Sequence, residues 1–189
     1  MSSTVWIVIV VGAIVAFAIF IYNRLVVLRQ AWQRAFSDID VQLKQRQDLI
    51  PNLVETVKGY AAHERGVLDE VTQARSAAMR ATTVGEKGAA EAALSGALGN
   101  LIAVAERYPD LKANHNFLAL QQELGDLENK IAAARRFLNS AVAEYNASIQ
   151  QFPAVLLAGV MGFAPAQMFA LDDAERVTAK EPPKVSLTA

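Results

Sequence analysis

The chain opens with an apolar run, and regular repeats of apolar and polar positions follow it. Residues 5–22 read VWIVIVVGAIVAFAIFIY, carry no charge, and are followed almost at once by Arg24. As an α-helix this run rises about 27 Å, close to the roughly 30 Å of a bilayer's hydrocarbon core. It therefore predicts an uncleaved transmembrane anchor over residues 1–23. A cleaved signal peptide is the alternative, but its apolar core would be shorter and would follow a basic segment.

Basic residues follow the anchor before any acidic residue does. Arg24, Arg29 and Arg34 all precede Asp38, the first acidic residue of the chain. Cytoplasmic flanks of membrane helices are enriched in Lys and Arg. The sequence therefore predicts a single-pass protein with its N-terminus outside and its body in the cytoplasm.

Beyond the anchor, apolar positions recur at spacings of three and four residues. They form seams, the pattern by which helices pack in coiled coils, from Leu25 to Ala78 and from Phe117 to Phe152. The first seam continues across Pro51, so a kink is expected there rather than a loop. The predicted fold is all-α: a single N-terminal transmembrane helix followed by an elongated antiparallel helical bundle with coiled-coil-like seams. The bundle is predicted over 24–170, with helices at about 24–81, 89–107, 115–152 and 154–161, and an extended or loosely docked tail over 171–189.

Four charged residues lie on these seams or directly beside them. Arg46 and Glu64 occupy seam positions, whereas Glu128 and Arg135 each follow a seam residue. A buried charge is costly unless it is paired. These residues are therefore interpreted as a structural polar network that fixes the register of the helices. A ligand site and simple solvent exposure are the alternatives.

The sequence contains no motif for catalysis, a cofactor or a metal. The chain has 2 histidines and no cysteine, and His63-Glu64 lacks the second histidine of a zinc protease, because that position is Val67. The segment from Gly85 to Gly88 lacks the Lys-Ser/Thr ending of a phosphate-binding loop. The net charge is −1 with acids and bases interspersed, which does not indicate a nucleic-acid-binding face. We therefore expect no catalytic, cofactor-binding or metal-binding residues and no enzymatic activity.

Two groups of residues are predicted to mediate contacts with other molecules. Within the membrane, Gly12 and Ala16 form a pair of small residues that favours close helix packing, although small residues are common in any membrane helix. Outside it, the uncharged run 152–169 holds more apolar surface than a bundle cap needs. That run is interpreted as a short helix closing the bundle, with a surface that dips into lipid or meets a partner as the alternative. The candidate interface residues are Trp32, Phe36, Leu156, Met161, Phe163 and Phe169.

Two long segments carry a family resemblance. They read YNRLVVLRQAWQRAFSDIDVQLKQRQDLIPNLVETVKGYAAHE and ERYPDLKANHNFLALQQELGDLENKIAAARRFLNSAVAEYNASIQQFPAVLLAGVMGF. Over roughly residues 22–170 the chain resembles the LemA family of bacterial membrane proteins. The resemblance implies a short extracytoplasmic N-terminus, one helix in the bacterial inner membrane and a helical bundle. It supplies no activity and no catalytic residues, and it implies an association with membrane quality control.

The function favoured by these patterns is that of a membrane-anchored, non-enzymatic scaffold or adaptor that self-associates and gathers partner proteins at the cytoplasmic membrane face. The expected partners are membrane lipid, further copies of the chain, and a membrane protease or other membrane proteins, but no nucleic acid. One alternative is an accessory or regulatory subunit of a membrane protease or quality-control system. Another is an enzyme or ligand-binding bundle with an unrecognised site.

Overall fold

The computed structural model describes residues 3–169, and no strand occurs among them. The all-α prediction is confirmed over this range. The tail predicted over 171–189 lies outside the described residues. The helices are α1 (Ser3–Lys58), α2 (Arg65–Arg80), α3 (Val84–Ala105), α4 (Pro109–Lys112), α5 (His115–Gln150) and α6 (Ala154–Ala158).

The chain divides into two compact units, and the two long helices α1 and α5 each contribute to both. Among the described residues, 3–40 and 132–168 form what we call the anchor unit. Residues 41–131, together with 169, form the bundle unit. Each unit has its own apolar cluster, so the two are described separately.

Helix α1 continues through Pro51 but ends earlier than the sequence predicted. The apolar seam predicted helix as far as residue 81, whereas the structure ends α1 at Lys58 and begins α2 at Arg65. Turns replace the helix in between, and they begin at Gly59, whose residue type has a low helix propensity. The seam spacing persists across these turns, and so it did not reveal the break.

Helix α3 begins at Val84, ahead of the predicted residue 89, because Thr83 caps it. The Glu86 N–H donates to Thr83 Oγ1 at 3.2 Å, and the Glu86 carboxylate accepts from the Thr83 and Thr82 N–H groups at 3.0 Å each. These bonds satisfy N–H groups that a helix start leaves free. Accepting them lowers the pKa of Glu86 from 4.5 to about 2.

The bundle unit has one apolar core to which all of its helices contribute. Asn114 directly precedes α5, and its Oδ1 accepts from the N–H groups of Asn116 and Phe117 at 2.9 and 3.1 Å, which stabilises the start of this helix. Large aliphatic side chains fill most of this core. Their burial stabilises the unit by about 25 cal/mol for each Å² of apolar surface removed from water. Its larger members are Ile50, Leu53, Val57, Leu68, Val71, Leu94, Leu98, Leu101, Leu111, Phe117 and Leu124.

The anchor unit has a smaller core, built from α1, the end of α5 and the segment that follows it. Its buried members are Ile21, Leu25, Tyr145, Ile149, Ala154, Ala158 and Phe163. The Tyr145 O–H donates to the Ala164 carbonyl at 3.0 Å. The Asn146 side chain donates to and accepts from the backbone of Ala166, at 2.9 and 2.8 Å. These bonds hold the segment after α6 against α5.

Helices α1 and α3 are both long and apolar enough to cross a membrane, judged by length and composition alone. They differ in burial, because only 6% of the apolar window of α1 is buried, against 44% for α3. Helix α3 supplies several side chains to the core of the bundle unit. The described chain therefore leaves the apolar surface of the N-terminal part of α1 uncovered.

Candidate functional site

A cluster of charged and polar side chains lies in the interior of the bundle unit. Arg46 on α1 is only 1% exposed and forms ion pairs with Glu91 on α3 and Glu128 on α5. Its Nη1 also donates to Ser95 Oγ at 2.8 Å. Gln47 Nε2 donates to Glu91 Oε1 at 2.6 Å. The cluster thus ties three helices together through one guanidinium group.

The arrangement suits a structural role better than a chemical one. An arginine does not lose its proton in proteins, so Arg46 cannot serve as a general acid or base. Its two carboxylate partners compensate a charge that would otherwise be costly to bury. In residues 3–169, no group of three or more His, Asp and Glu side chains is placed to hold a metal ion. The cluster can fix the register of the three helices.

The structure brings some of the predicted network residues together and separates others. The predicted members were Arg46, Glu64, Glu128 and Arg135. Arg46 and Glu128 are paired, whereas the Glu64 carboxylate accepts from Arg107 Nη2 at 3.1 Å and from the Tyr108 O–H at 3.3 Å. Glu64 directly precedes α2, in the turns that interrupt the expected helix. Arg135 lies on the part of α5 that belongs to the anchor unit.

Sequence reasoning missed Glu91, the most deeply buried acidic residue of the cluster. Helix α3 is rich in small residues, and its buried residues include Leu94 and Leu101. Glu91 lies three residues before Leu94 and therefore shares its face. A lone acidic residue on an otherwise apolar stripe was the available signal for a buried ion pair.

The candidate interface residues fall into three groups by exposure. Phe163 and Phe169 are 5% and 3% exposed, which corrects the expectation that they lie on the surface. Trp32, Phe36 and Met161 are half-buried, and Leu156 is 67% exposed.

Gly162 explains why Phe163 is buried. Its φ of +75° lies in the left-handed region that glycine adopts without strain. The chain reverses there, and the Phe163 N–H donates to the Ala158 carbonyl at 2.9 Å. The Phe163 ring then lies 5.6 Å from the Tyr22 ring, and the Arg29 guanidinium lies 5.0 Å from its centre.

The segment between α5 and Gly162 exposes its large apolar side chains. We call residues 152–160 the apolar turn. Phe152, Leu156 and Val160 are 79%, 67% and 91% exposed, whereas Ala154 and Ala158 are buried. This turn adjoins a cavity of about 180 Å³, whose lining includes Phe17, Phe20 and Arg24 of α1 together with Phe152 and Pro153.

A second cavity, of about 480 Å³, lies in the bundle unit along α1 and α2. Its lining mixes both signs of charge, with Glu55 and Lys58 from α1 and Arg65 and Asp69 from α2. Lys58 Nζ lies 3.4 Å from Glu55 Oε1, so this lysine already has an acidic neighbour. The lining also includes Thr72, whose hydroxyl donates to the Leu68 carbonyl at 2.9 Å.

Comparison with known proteins gives a consistent group of relatives. A sequence profile described as LemA family matches residues 35–187. Magnetosome protein MamQ of Magnetospirillum gryphiswaldense is 27% identical over 174 residues, covering 78% of this chain and 64% of the relative. Magnetosome protein MamQ 2 of Paramagnetospirillum magneticum is 26% identical over 185 residues, covering 84% and 68%. Protein LemA of Metamycoplasma hominis is 28% identical over 149 residues, covering 77% and 67%. The chain thus spans slightly under two thirds of the first of these relatives.

Proposed function

This chain belongs to the LemA family, and from that premise we propose that it is a non-enzymatic helical scaffold that self-associates in the membrane. Its body gathers partner proteins at the cytoplasmic face of the bacterial inner membrane. The family and the uncovered apolar helix support the membrane association. The three arginines that follow the anchor support the cytoplasmic position of the body.

The observation that carries the proposal is the uncovered surface of the anchor helix. The large apolar side chains from Val5 to Phe20 are exposed along the whole run. Gly12 and Ala16 are exposed as well, and a side-chain carbon added at Gly12 would meet no atom within 4 Å. In lipid, two small residues four positions apart allow a second helix to approach closely.

The interior of the bundle unit supports a framework rather than a catalyst. An active site usually has a cleft in which several polar groups converge. Here the polar groups that converge inside the unit are bonded to one another around Arg46, and the hydrophobic core of the unit is separate from them. Such an interior keeps helices in fixed positions, which is what a surface that gathers partners requires.

Anchoring also lowers the affinity that assembly needs. Chains held in one membrane meet at a high effective concentration, so contacts that are weak in solution suffice to hold them together. The helical face of Gly12 and Ala16 supplies one such contact, and the cytoplasmic bodies supply the surface on which partners collect.

The mass of the detergent-solubilised full-length protein tests self-association. We expect a multiple of the monomer mass for the natural chain and a shift toward monomer for Gly12→Leu/Ala16→Leu, which fills the face of small residues. The matched control is Val10→Leu/Ile14→Leu, which has the same spacing on the opposite face of the helix and should keep the assembly. A monomer in all three proteins at micromolar concentration would contradict self-association.

A further inference from the structure

The apolar turn has an inverted distribution of side-chain sizes. A helix on a water-exposed surface normally buries its large apolar residues and exposes polar ones. Helix α6 buries Ala154 and Ala158 and exposes Leu156, and Phe152 before the helix and Val160 after it are exposed as well. Phe152 and Val160 are more exposed, by fraction, than any other large apolar side chain in residues 3–169.

The turn lies beside the end of the transmembrane run. Phe152 and Pro153 share a cavity with Phe17 and Phe20, which are 52% and 62% exposed on the lipid-facing surface of α1. The residues from Phe17 to Tyr22 cover about 8 Å of helix rise, the last part of the run before the first arginine. The exposed surface of the turn therefore continues the lipid-facing surface of the anchor.

The charges around the turn fit the boundary of a bilayer. No residue from Phe152 to Phe169 is charged. Two cations lie close to this segment: Arg24, which lines the shared cavity, and Arg29, whose guanidinium lies over the Phe163 ring. Arginine pairs well with phosphate, and long basic side chains reach from apolar surfaces toward the headgroups. An apolar surface flanked by basic residues is typical of segments that lie in the membrane interface.

We propose that the apolar turn inserts into the leaflet nearest the body, with Phe152, Leu156 and Val160 among the lipid chains and Arg24 at the headgroup phosphates. The chain then has two lipid contacts, the transmembrane helix and this turn. Through them the anchor unit holds the end of α5 against the membrane surface. This inference rests on the proposed anchoring of residues 5–22 in the membrane.

Site-directed spin labelling of the full-length protein tests this insertion. The chain has no cysteine, so a single substitution gives one labelling site. The test positions are Phe152→Cys, Leu156→Cys and Val160→Cys, reconstituted in phosphatidylcholine–phosphatidylglycerol vesicles. Each label is then exposed to oxygen, which concentrates in hydrocarbon, and to a neutral nickel chelate, which stays in water.

Two control positions calibrate the result. Ile14→Cys reports the transmembrane run, and its label should collide mainly with oxygen. Phe137→Cys is an exposed aromatic position of the anchor unit, at 63%, about 20 Å along α5 from Gln150. Its label should collide mainly with the nickel chelate.

The proposal predicts that the labels at 152, 156 and 160 favour oxygen over the nickel chelate, as the Ile14 label does. Labels that instead behave like the one at Phe137 would show that the turn faces water and would overturn the insertion. Labels protected from both reagents, with broadening from spins on neighbouring copies, would assign the turn to a second chain and would also overturn it. If the Ile14 label itself favours the nickel chelate, the anchoring fails, and the proposed function fails with it.

Discussion

The bundle unit and helix α6 of the anchor unit sort their side chains in opposite ways. In the bundle unit, large aliphatic residues such as Leu94 and Leu101 are fully buried. In the anchor unit, α6 buries alanines and exposes Leu156. The hydrophobic effect places large apolar groups wherever water is absent. This difference fits our proposal that the bundle unit faces water and that the apolar turn of the anchor unit meets lipid.

The largest effect is expected from a charge placed in the core of the bundle unit. Leu127→Lys buries an ammonium group without a partner at a position that is 4% exposed. We expect a loss of several kcal/mol, a large share of the roughly 5–15 kcal/mol that stabilises a typical domain. The neighbouring Asp126→Lys is exposed and should change stability by under about 0.5 kcal/mol. Thermal unfolding followed by circular dichroism measures both, and equal melting temperatures would contradict this burial pattern.

The ion-paired cluster should show the next largest effect. Arg46→Met leaves the buried Glu91 carboxylate without its cation, which costs about 3–5 kcal/mol. The double substitution Arg46→Met/Glu91→Met removes both charges and should restore most of that loss. Arg107→Met breaks a more exposed pair with Glu64 and should cost under about 1 kcal/mol.

Chemical unfolding of the natural protein and these three variants measures the differences. A double variant as unstable as Arg46→Met would show that the Arg46–Glu91 charge pair does not account for the loss.

A smaller loss of stability is expected from a substitution at Gly162, beside which Phe163 packs into the core of the anchor unit. Gly162→Ala places a side chain at a φ of +75° and should cost about 1–3 kcal/mol through backbone strain alone, because the added carbon meets no atom within 4 Å. The control is Gly159→Ala, which has equal space but a helical φ of −62° and should be neutral or slightly stabilising. Unfolding monitored by tryptophan fluorescence compares the two. Equal stabilities would contradict the role of the left-handed turn.

The smallest effect concerns the cap of α3. The Thr83 and Thr82 N–H groups lower the pKa of Glu86 from 4.5 to about 2. A lowered folded-state pKa means that the carboxylate stabilises the fold above pH 4.5, and that this contribution is lost as the pH falls toward 2. The melting-temperature difference between the natural protein and Glu86→Gln should therefore shrink steadily across that range. A difference that does not change with pH would contradict the capping account.

The sequence predicted features that follow from long, regular spacing. An unbroken seam predicted a helix over 115–152, and the structure has α5 at His115–Gln150. The uncharged run 5–22 lies in the exposed N-terminal part of α1. Arg46 and Glu128 were singled out because charges at or beside apolar seams need partners, and the structure pairs them.

Other features escaped prediction because local interactions decide them. The seam spacing continued across the turns after Gly59, so periodicity gave no sign of the break. The run 152–169 is apolar throughout, so composition could not separate the buried Phe163 from the exposed Val160. The left-handed backbone at Gly162 decides which residues turn inward, and a glycine by itself does not specify its φ.

The most direct test of the account is side-specific labelling of single cysteines in spheroplasts. Ser2→Cys lies ahead of the apolar run 5–22, and Ser140→Cys lies at an exposed position of α5. A membrane-impermeant thiol reagent added outside should label Ser2→Cys at once and Ser140→Cys only after the membrane is opened. Immediate labelling at Ser140 alone would contradict a body held at the cytoplasmic face, and labelling of both sites before opening would contradict a membrane-spanning anchor.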